Sequence, residues 1–231
     1  MKRIILLCFL LSAKMVQAQT NLMGITAGPT HTSASGARMP SGKDSYTAGI
    51  TFQHFFLHRF SLGADLMYSP RGYSDNVPTV SNGGRSRSSK TVTLTYDYIS
   101  LPLKAGIKFG RKVYFFINGG LVPAVLLRAE ATGPFVDGSG NYLGTRTDNI
   151  TSKTIRFDMG GLLEMGVAAR LSKELRLSAT LFYQSSFGNT TQEYDFSNTS
   201  VSHYGVGFLV GVKYKLPQRA RASEEPETNL Q

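Results

Sequence analysis

The chain has 231 residues with a formal net charge of +10, and 41% of its residues are hydrophobic. This length suits one domain of the barrel or sandwich type. After the N-terminal region no run of about eighteen apolar residues occurs, which excludes a later transmembrane helix. A basic chain invites a nucleic-acid hypothesis, but its cations are spread over turns and loops instead of one helix, so we expect no nucleic-acid partner.

Residues 1–18 predict a cleaved secretory signal peptide. Lys2 and Arg3 form a charged start, an apolar run of about ten residues follows, and small residues ending at Ala18 mark the cleavage site. The apolar run is too short to cross a hydrocarbon core of about 30 Å as a helix. The only cysteine, Cys8, lies inside this segment, so the mature chain is predicted to lack a thiol, a disulfide and a cysteine-ligated metal.

Residues 19–216 predict an all-β domain, and 217–231 a polar periplasmic tail. Eight segments alternate apolar with small or polar residues, the period of a strand with two unlike faces. The predicted strands are 21–30, 45–57, 59–70, 90–109, 112–129, 155–171, 174–187 and 202–216. The connectors after strands two, four and six are short enough for hairpins, whereas the others are long and polar. This asymmetry is typical of an eight-stranded antiparallel transmembrane β-barrel, an up-and-down meander with short periplasmic turns and long extracellular loops.

Alternation within the strands assigns the two faces of the predicted barrel. Met165 and Val167 share one side of the sixth strand with other apolar residues, while Glu164 and Gly166 lie on the other side. We expect the apolar side to face lipid and the side rich in Gly, Ser, Thr and Ala to fill the lumen. The alternative is a soluble barrel such as a lipocalin, whose outer face would carry many Lys and Glu residues.

Aromatic residues near the strand ends predict girdles at the membrane interfaces, where amphipathic rings settle at the headgroup level. The predicted girdle residues are Tyr68, Tyr73, Tyr96, Tyr98, Tyr114, Phe115, Phe116, Tyr183, Phe187, Tyr204 and Tyr214. The chain has no tryptophan, so Tyr and Phe would supply these belts.

Two neighbouring stretches carry a family resemblance. Residues 96–106 read YDYISLPLKAG, and residues 113–120 read VYFFINGG. They resemble the Y-I-x-L-P-L-x-x-K and Y-x-x-x-G-P stretches of the PorT-like outer-membrane β-barrel family of Bacteroidota. Leu121 stands where that family often has Pro, and the last strand lacks the usual aromatic terminus. The resemblance implies an outer-membrane barrel; most members are of unknown function, and the founding protein's link to secretion does not transfer.

Charged residues at inward positions predict a polar network in the lumen. These positions are Asp65, Lys104 and Glu164 at one depth, with Lys108, Arg170 and Arg176 nearer the periplasmic turns. An eight-stranded barrel is only wide enough for its side chains to fill it, and an unpaired buried charge costs several kcal/mol. We therefore predict that Lys104 bridges Asp65 and Glu164, and that this network closes the barrel to ions.

The connector from Pro70 to Lys90 predicts an extracellular basic loop. Its cationic residues are Arg71, Arg85, Arg87 and Lys90. Set among Gly and Ser, the connector cannot bury enough apolar surface to order itself. We expect a solvated loop, with binding of lipopolysaccharide phosphates or of a partner as the alternative.

Catalytic and metal-binding patterns are weak. His31 and Ser33 have the spacing that places both side chains on one side of a strand, as a lipid A hydrolase-like barrel would need. A polar loop start is the favoured interpretation, so we expect no enzyme. The remaining histidines have no metal-ligand spacing, so we expect no metal and no cofactor.

Three function classes stay open on the sequence. The first is a structural or interaction barrel that acts through its extracellular loops, the second is a narrow outer-membrane channel, and the third is a lipid-modifying enzyme. We expect the first, as a monomeric, multi-pass protein of the outer membrane. Its expected partners are outer-membrane lipids, including lipopolysaccharide, and an unidentified protein.

Overall fold

The computed structural model describes residues 20–36, 40–56, 59–80, 87–136, 142–188 and 201–217. Its strands are β1 (Thr20–Ser35), β2 (Ser41–Phe56), β3 (Phe60–Val80), β4 (Arg87–Ser100), β5 (Leu103–Gly110), β6 (Val113–Val136), β7 (Tyr142–Asn149), β8 (Phe157–Arg170), β9 (Leu175–Ser186) and β10 (Ser202–Lys215). A 3-10 helix, Thr151–Lys153, lies between β7 and β8. Among the helices of these residues, none has the length and apolar content needed to span a membrane.

The strands form a closed antiparallel ring. β1 pairs with β2 along one edge and with β10 along the other, which closes the sheet. β4 and β5 share one position between β3 and β6, because Pro102 cannot donate to the ladder and interrupts the strand. β7 pairs with β6 outside the ring. The ring therefore has eight positions in up-and-down order, and the predicted barrel architecture is confirmed.

The two ends of the barrel differ in their connections. The β2–β3, β5–β6 and β8–β9 connections lie at one end, which we call the turn end, together with the start of β1 and the end of β10. At the opposite end, the loop end, strands extend beyond their predicted limits. Residues Pro70–Val80 of β3 pair in register with Arg87–Asp97 of β4. The expectation that the Pro70–Lys90 connector is unordered is therefore wrong for these residues, because backbone hydrogen bonds across the hairpin order them without apolar burial.

Burial alternates along the strands as the predicted faces require. On β8, Leu163, Met165 and Val167 are 43–48% exposed on the outside, whereas Glu164 is only 4% exposed. An apolar outer face around a polar and glycine-rich interior is the pattern of a transmembrane barrel and the reverse of a lipocalin.

Part of the predicted aromatic girdle lies inside the barrel instead. The interior residues are Tyr73, Tyr96, Tyr98, Tyr114 and Phe116, each at most 7% exposed. The prediction considered only position along the strand, and these residues occupy inward positions. The predicted residues on the outer surface are Tyr68, Phe115, Tyr183, Phe187, Tyr204 and Tyr214.

Side chains fill the lumen in three layers. An aromatic cluster around Tyr73, Tyr96 and Tyr98 lies toward the loop end, and a second cluster around Phe55 and Tyr114 lies toward the turn end. Charged residues occupy the layer between them. We call these layers the loop-end cluster, the turn-end cluster and the middle layer.

Candidate functional site: the lumen and its two ends

The middle layer is organised around Lys104 of β5. Its Nζ lies 2.6 Å from Asp65 Oδ2 and 3.0 Å from both carboxylate oxygens of Glu164. The side chains of Lys104, Asp65 and Glu164 are 5–7% exposed. Asn118 Nδ2 donates to Glu164 Oε2 at 2.8 Å. The structure thus brings together the three central residues of the predicted network, each from a different strand.

Strand register and two glycines position this cluster. Asn118 of β6 lies opposite Glu164 of β8, and Gly63 of β3 lies opposite Lys104. A Cβ on Gly63 would be 3.2 Å from Lys104 Cγ, and one on Gly106 would be 1.9 Å from Asn118 Oδ1. These positions leave room for the Lys104 and Asn118 side chains, because a narrow barrel must alternate small and large inward residues.

Lys213 of β10 completes the charge balance of the middle layer. Its Nζ donates to Gln53 Oε1 at 3.1 Å, and the ammonium group lies within electrostatic range of Asp65 and Glu164. The layer therefore sets two lysines against two carboxylates. The sequence places Lys213 on the inward side of its strand, but the predicted network does not include it.

Arg71 lies inside the barrel, which corrects its assignment to an extracellular loop. Its Nη1 donates to Asp158 Oδ2 at 2.5 Å and to Ser186 Oγ at 3.1 Å, and its guanidinium lies 4.6 Å from the centre of the Tyr98 ring. The arginine is 5% exposed. The reason is that β3 continues past Pro70, so that the inward alternation of the strand extends to Arg71.

The other cations of the predicted basic loop have different positions. Arg87 begins β4, and Lys90 follows on the same strand. Arg85 lies outside the described residues. Arg87 pairs with Val80 and Lys90 with Val77, at the loop end of the described β3–β4 hairpin.

Arg170 and Arg176 are not part of the Lys104 cluster, which corrects the predicted network. Arg176 Cζ lies 5.8 Å from the ring centre of Phe55 and 5.9 Å from that of Tyr114, and Lys108 Nζ lies 4.1 Å from that of Phe55. Arg170 is exposed at the rim, opposite Arg176 in register. Arg176 and Lys108 contact aromatic faces, and within the described part of the chain none of these three cations forms an ion pair.

His31 and Ser33 do not form a catalytic pair in the described structure. His31 Nδ1 lies 2.7 Å from Asp44 Oδ1 on the exposed outer face, and Ser33 is buried. A Cβ on Gly42 would be 2.1 Å from His31 Nε2, so this nitrogen faces the backbone of β2. In the described ranges no group of three His, Cys, Asp or Glu residues could hold a metal ion.

The cavities found beside the middle layer and the loop-end cluster are small. One cavity of about 20 Å³ lies beside Arg71 and His203, and another of about 20 Å³ lies beside Asp65 and Glu164. Each can hold on the order of one water molecule. The filled layers leave no room there for a solute the size of a nutrient.

Comparisons with known proteins agree with this architecture. Residues 17–192 match the family described as outer membrane protein beta-barrel domain. Among solved structures the chain is similar to neisserial surface protein A, at 15% identity and a TM-score of 0.47 over 84% of this chain and 97% of that one. OprG from Pseudomonas aeruginosa is 10% identical, with a TM-score of 0.46 over 86% of this chain and 97% of that one.

Ail of Yersinia pestis is 8% identical, with a TM-score of 0.42 over 85% of this chain and 99% of that one. The comparison with curated proteins gives no match. Because the identities to solved structures are low, family membership rests on the match to the family itself.

Proposed function

Since the chain belongs to the outer membrane protein β-barrel domain family and is an outer-membrane protein, we propose that it is a closed barrel that presents its loop-end hairpins to lipopolysaccharide. The observation that carries this proposal is the filled lumen. The Lys104 cluster and the aromatic layers on either side occupy the path that a channel would need. Because the lumen is filled, we expect the protein to act through its outer surfaces and its loops.

The proposal places the turn end in the periplasm and the loop end outside the cell. Short periplasmic turns and longer extracellular connections are the rule in outer-membrane barrels. The resemblance of residues 96–106 to the PorT-like family of Bacteroidota supports the same orientation. It also supports a secreted precursor whose signal is cut after Ala18, which mass spectrometry of the N-terminus of the purified protein tests directly.

The role that we propose is not enzymatic. His31 has a carboxylate partner, but its Nε2 faces Gly42, and no hydrogen bond in the described structure joins it to a hydroxyl nucleophile. A general base must reach the proton that it removes. We therefore assign lipid A contact to the protein and not lipid A cleavage, and lipid A isolated from expressing cells should keep its mass.

The β3–β4 hairpin is the surface that we expect to bind the lipopolysaccharide phosphates. Arg87 and Lys90 belong to β4, and Arg85 precedes them in the sequence. Each cation close to an anionic lipid surface contributes about 1 kcal/mol. The test replaces all three by Ser and measures binding of labelled lipopolysaccharide to the protein in nanodiscs. The expected loss of affinity is about 100-fold at low salt.

A matched control replaces three exposed cations elsewhere at the loop end, Arg146, Lys153 and Arg156, by Ser. It should weaken binding by less than about threefold if the hairpin carries the site. Equal losses in the two variants would show diffuse charge attraction, and unchanged binding of the hairpin variant would remove the proposal.

A further inference from the structure

A cationic cavity opens at the turn end of the barrel, and none of the functions considered so far uses it. Its volume is about 700 Å³, and its lining residues are Arg59, Lys108, Phe109, Gly110, Arg111 and Arg170. The cations come from all three turns, since Arg59 precedes β3, Lys108 and Arg111 flank the β5–β6 turn, and Arg170 ends β8. No carboxylate is among the described residues that line it.

The side chains behind this cavity do not neutralise it. Arg176 is 5% exposed, and its Nη1 has no hydrogen-bond partner within the described residues. Arg176 and Lys108 lie against the rings of Phe55 and Tyr114 instead of against acids. A concave site lined by one sign of charge focuses the electrostatic field and attracts ions of the opposite sign.

The nearest described carboxylate of the turn end is already engaged elsewhere. Glu174, in the β8–β9 turn, accepts a hydrogen bond of 2.7 Å from the hydroxyl of Tyr214. Tyr214 belongs to the outer surface of β10. Glu174 is therefore held on the outside of the barrel, and the cavity needs an anion from another source.

The chain itself supplies an acidic segment at this end. β10 ends at Lys215, and the Leu216 amide donates to Asn21 O at the start of β1. Beyond the described residues the sequence continues through Glu224, Glu225 and Glu227. The segment from Leu216 to Glu224 can span roughly 26 Å when extended, whereas an eight-stranded barrel is about 16 Å across from strand to strand. The acidic segment can therefore reach the cavity.

We propose that residues 224–227, with the sequence Glu-Glu-Pro-Glu, bind in the cationic cavity. Carboxylates form short, charge-assisted hydrogen bonds with guanidinium groups, and paired bonds with Arg111 or Arg170 suit their planar geometry. The tether raises the effective concentration of the segment to about the millimolar range, which favours it over a free anion.

Only the acidic residues of the C-terminal tail suit the cationic cavity. Arg219 and Arg221 precede residues 224–227 and would be repelled by the cavity. In the sequence they are closer than residues 224–227 to Lys215, the last residue of β10, and anionic phospholipid headgroups attract such cations. Only residues 224–227 are assigned to the cavity.

Paramagnetic relaxation tests the placement without altering either set of charges. Because Cys8 lies in the predicted signal peptide, Ser223→Cys gives the mature protein one site for a nitroxide label. In phosphatidylcholine nanodiscs, the amide signals of Arg59, Lys108, Arg111 and Arg170 should lose most of their intensity. The amides of Thr93 and Thr132 at the loop end should keep theirs.

The controls vary only the charge of the segment. Replacing Glu224, Glu225 and Glu227 by Gln in the labelled protein should abolish the selective loss of signal, whereas replacing them by Asp should preserve it. Selective loss that survives the Gln replacements, or no selective loss in the starting protein, would overturn the proposal. Loss that disappears in phosphatidylglycerol nanodiscs would also overturn it and would assign the cavity to lipid headgroups.

Discussion

The middle layer and the turn end of the lumen both hold cations but differ in what faces them. Lys104 and Lys213 share their layer with Asp65 and Glu164, and the lysines bond to acceptors at 2.6–3.1 Å. At the turn end, aromatic rings take the places that acids hold in the middle. In the middle layer the lysines lie at the same depth as acids, and the ion pairs of Lys104 help to fill the lumen. At the turn end the cations contact rings instead of acids, so they can still bind an anionic ligand.

Removing the central cation should have the largest effect on stability. Lys104→Met leaves Asp65 and Glu164 buried, facing each other and without their shared partner. Breaking a buried pair in this way costs about 3–5 kcal/mol. The measurement is urea unfolding in lipid vesicles, followed by circular dichroism and by gel mobility of unheated samples, because the chain has no tryptophan.

The matched control for this change is the triple variant Asp65→Asn, Lys104→Met and Glu164→Gln. It should recover part of the loss, since no buried carboxylates face each other in it, and only part, since Lys213 then lies in the layer without an acid. A Lys104→Met protein as stable as the starting protein would contradict the description of the middle layer.

A somewhat smaller loss is expected at the loop end. Arg71→Met leaves Asp158 with Ser186 as its only described hydrogen-bond donor and removes the contact with Tyr98. We expect about 2–4 kcal/mol of destabilisation in the same unfolding assay. Adding Asp158→Asn to this variant should restore part of it. A change in unfolding free energy near zero would mean that Arg71 is solvated, as the composition of the surrounding sequence predicts.

Glycine replacements test how tightly the middle layer is packed. Gly106→Ala forces a methyl group against Asn118 Oδ1 and disturbs the amide that binds Glu164, so we expect a loss of about 1–3 kcal/mol. Gly119→Ala is the control, because its nearest neighbouring atom would be 4.0 Å away. Similar unfolding midpoints for the two variants would mean that the layer adjusts to added volume.

The smallest loss of stability is expected at the turn end. This result would distinguish the turn end from the middle layer most clearly. Arg176→Met removes one of several neighbouring cations and exposes no buried acid, while the new side chain keeps contact with Phe55 and Tyr114. The change in unfolding free energy should stay below about 1 kcal/mol. A loss as large as that of Lys104→Met would show that an anionic partner already holds Arg176 in the folded protein.

The sequence predicts the barrel well because one physical rule governs every strand. Each strand faces lipid on one side and a narrow lumen on the other, so its apolar and polar residues alternate with a period of two. The alternating segments give the strand number, and the alternation within them gives the apolar outer face and the inward positions of Lys104, Asp65 and Glu164. Hairpin length at the loop end obeys a different rule. Backbone pairing between β3 and β4 continues past Pro70, although the residues there are polar. Their composition is typical of a loop, so the sequence does not predict that Arg71 points into the lumen.

The turn end was less predictable for a second reason. Inward parity places Arg176 and Lys108 in the lumen, but it does not show whether an acid or a ring lies across from them. The closeness of Tyr114 to a strand end predicts a girdle residue, and Phe55 has no predicted role, although both occupy inward positions. Applying parity to the aromatic residues as strictly as to the charged ones would have revealed these contacts.

Planar bilayer recordings test the central claim most directly. If the Lys104 cluster and the two aromatic layers close the lumen, the purified protein inserted in a bilayer should show no steady, ohmic conductance above that of the lipid. The variant with Asp65→Asn, Lys104→Met and Glu164→Gln should also stay closed, because its side chains still fill the middle layer. Steady single-channel steps in the starting protein would contradict the closed barrel and assign the protein to the channels.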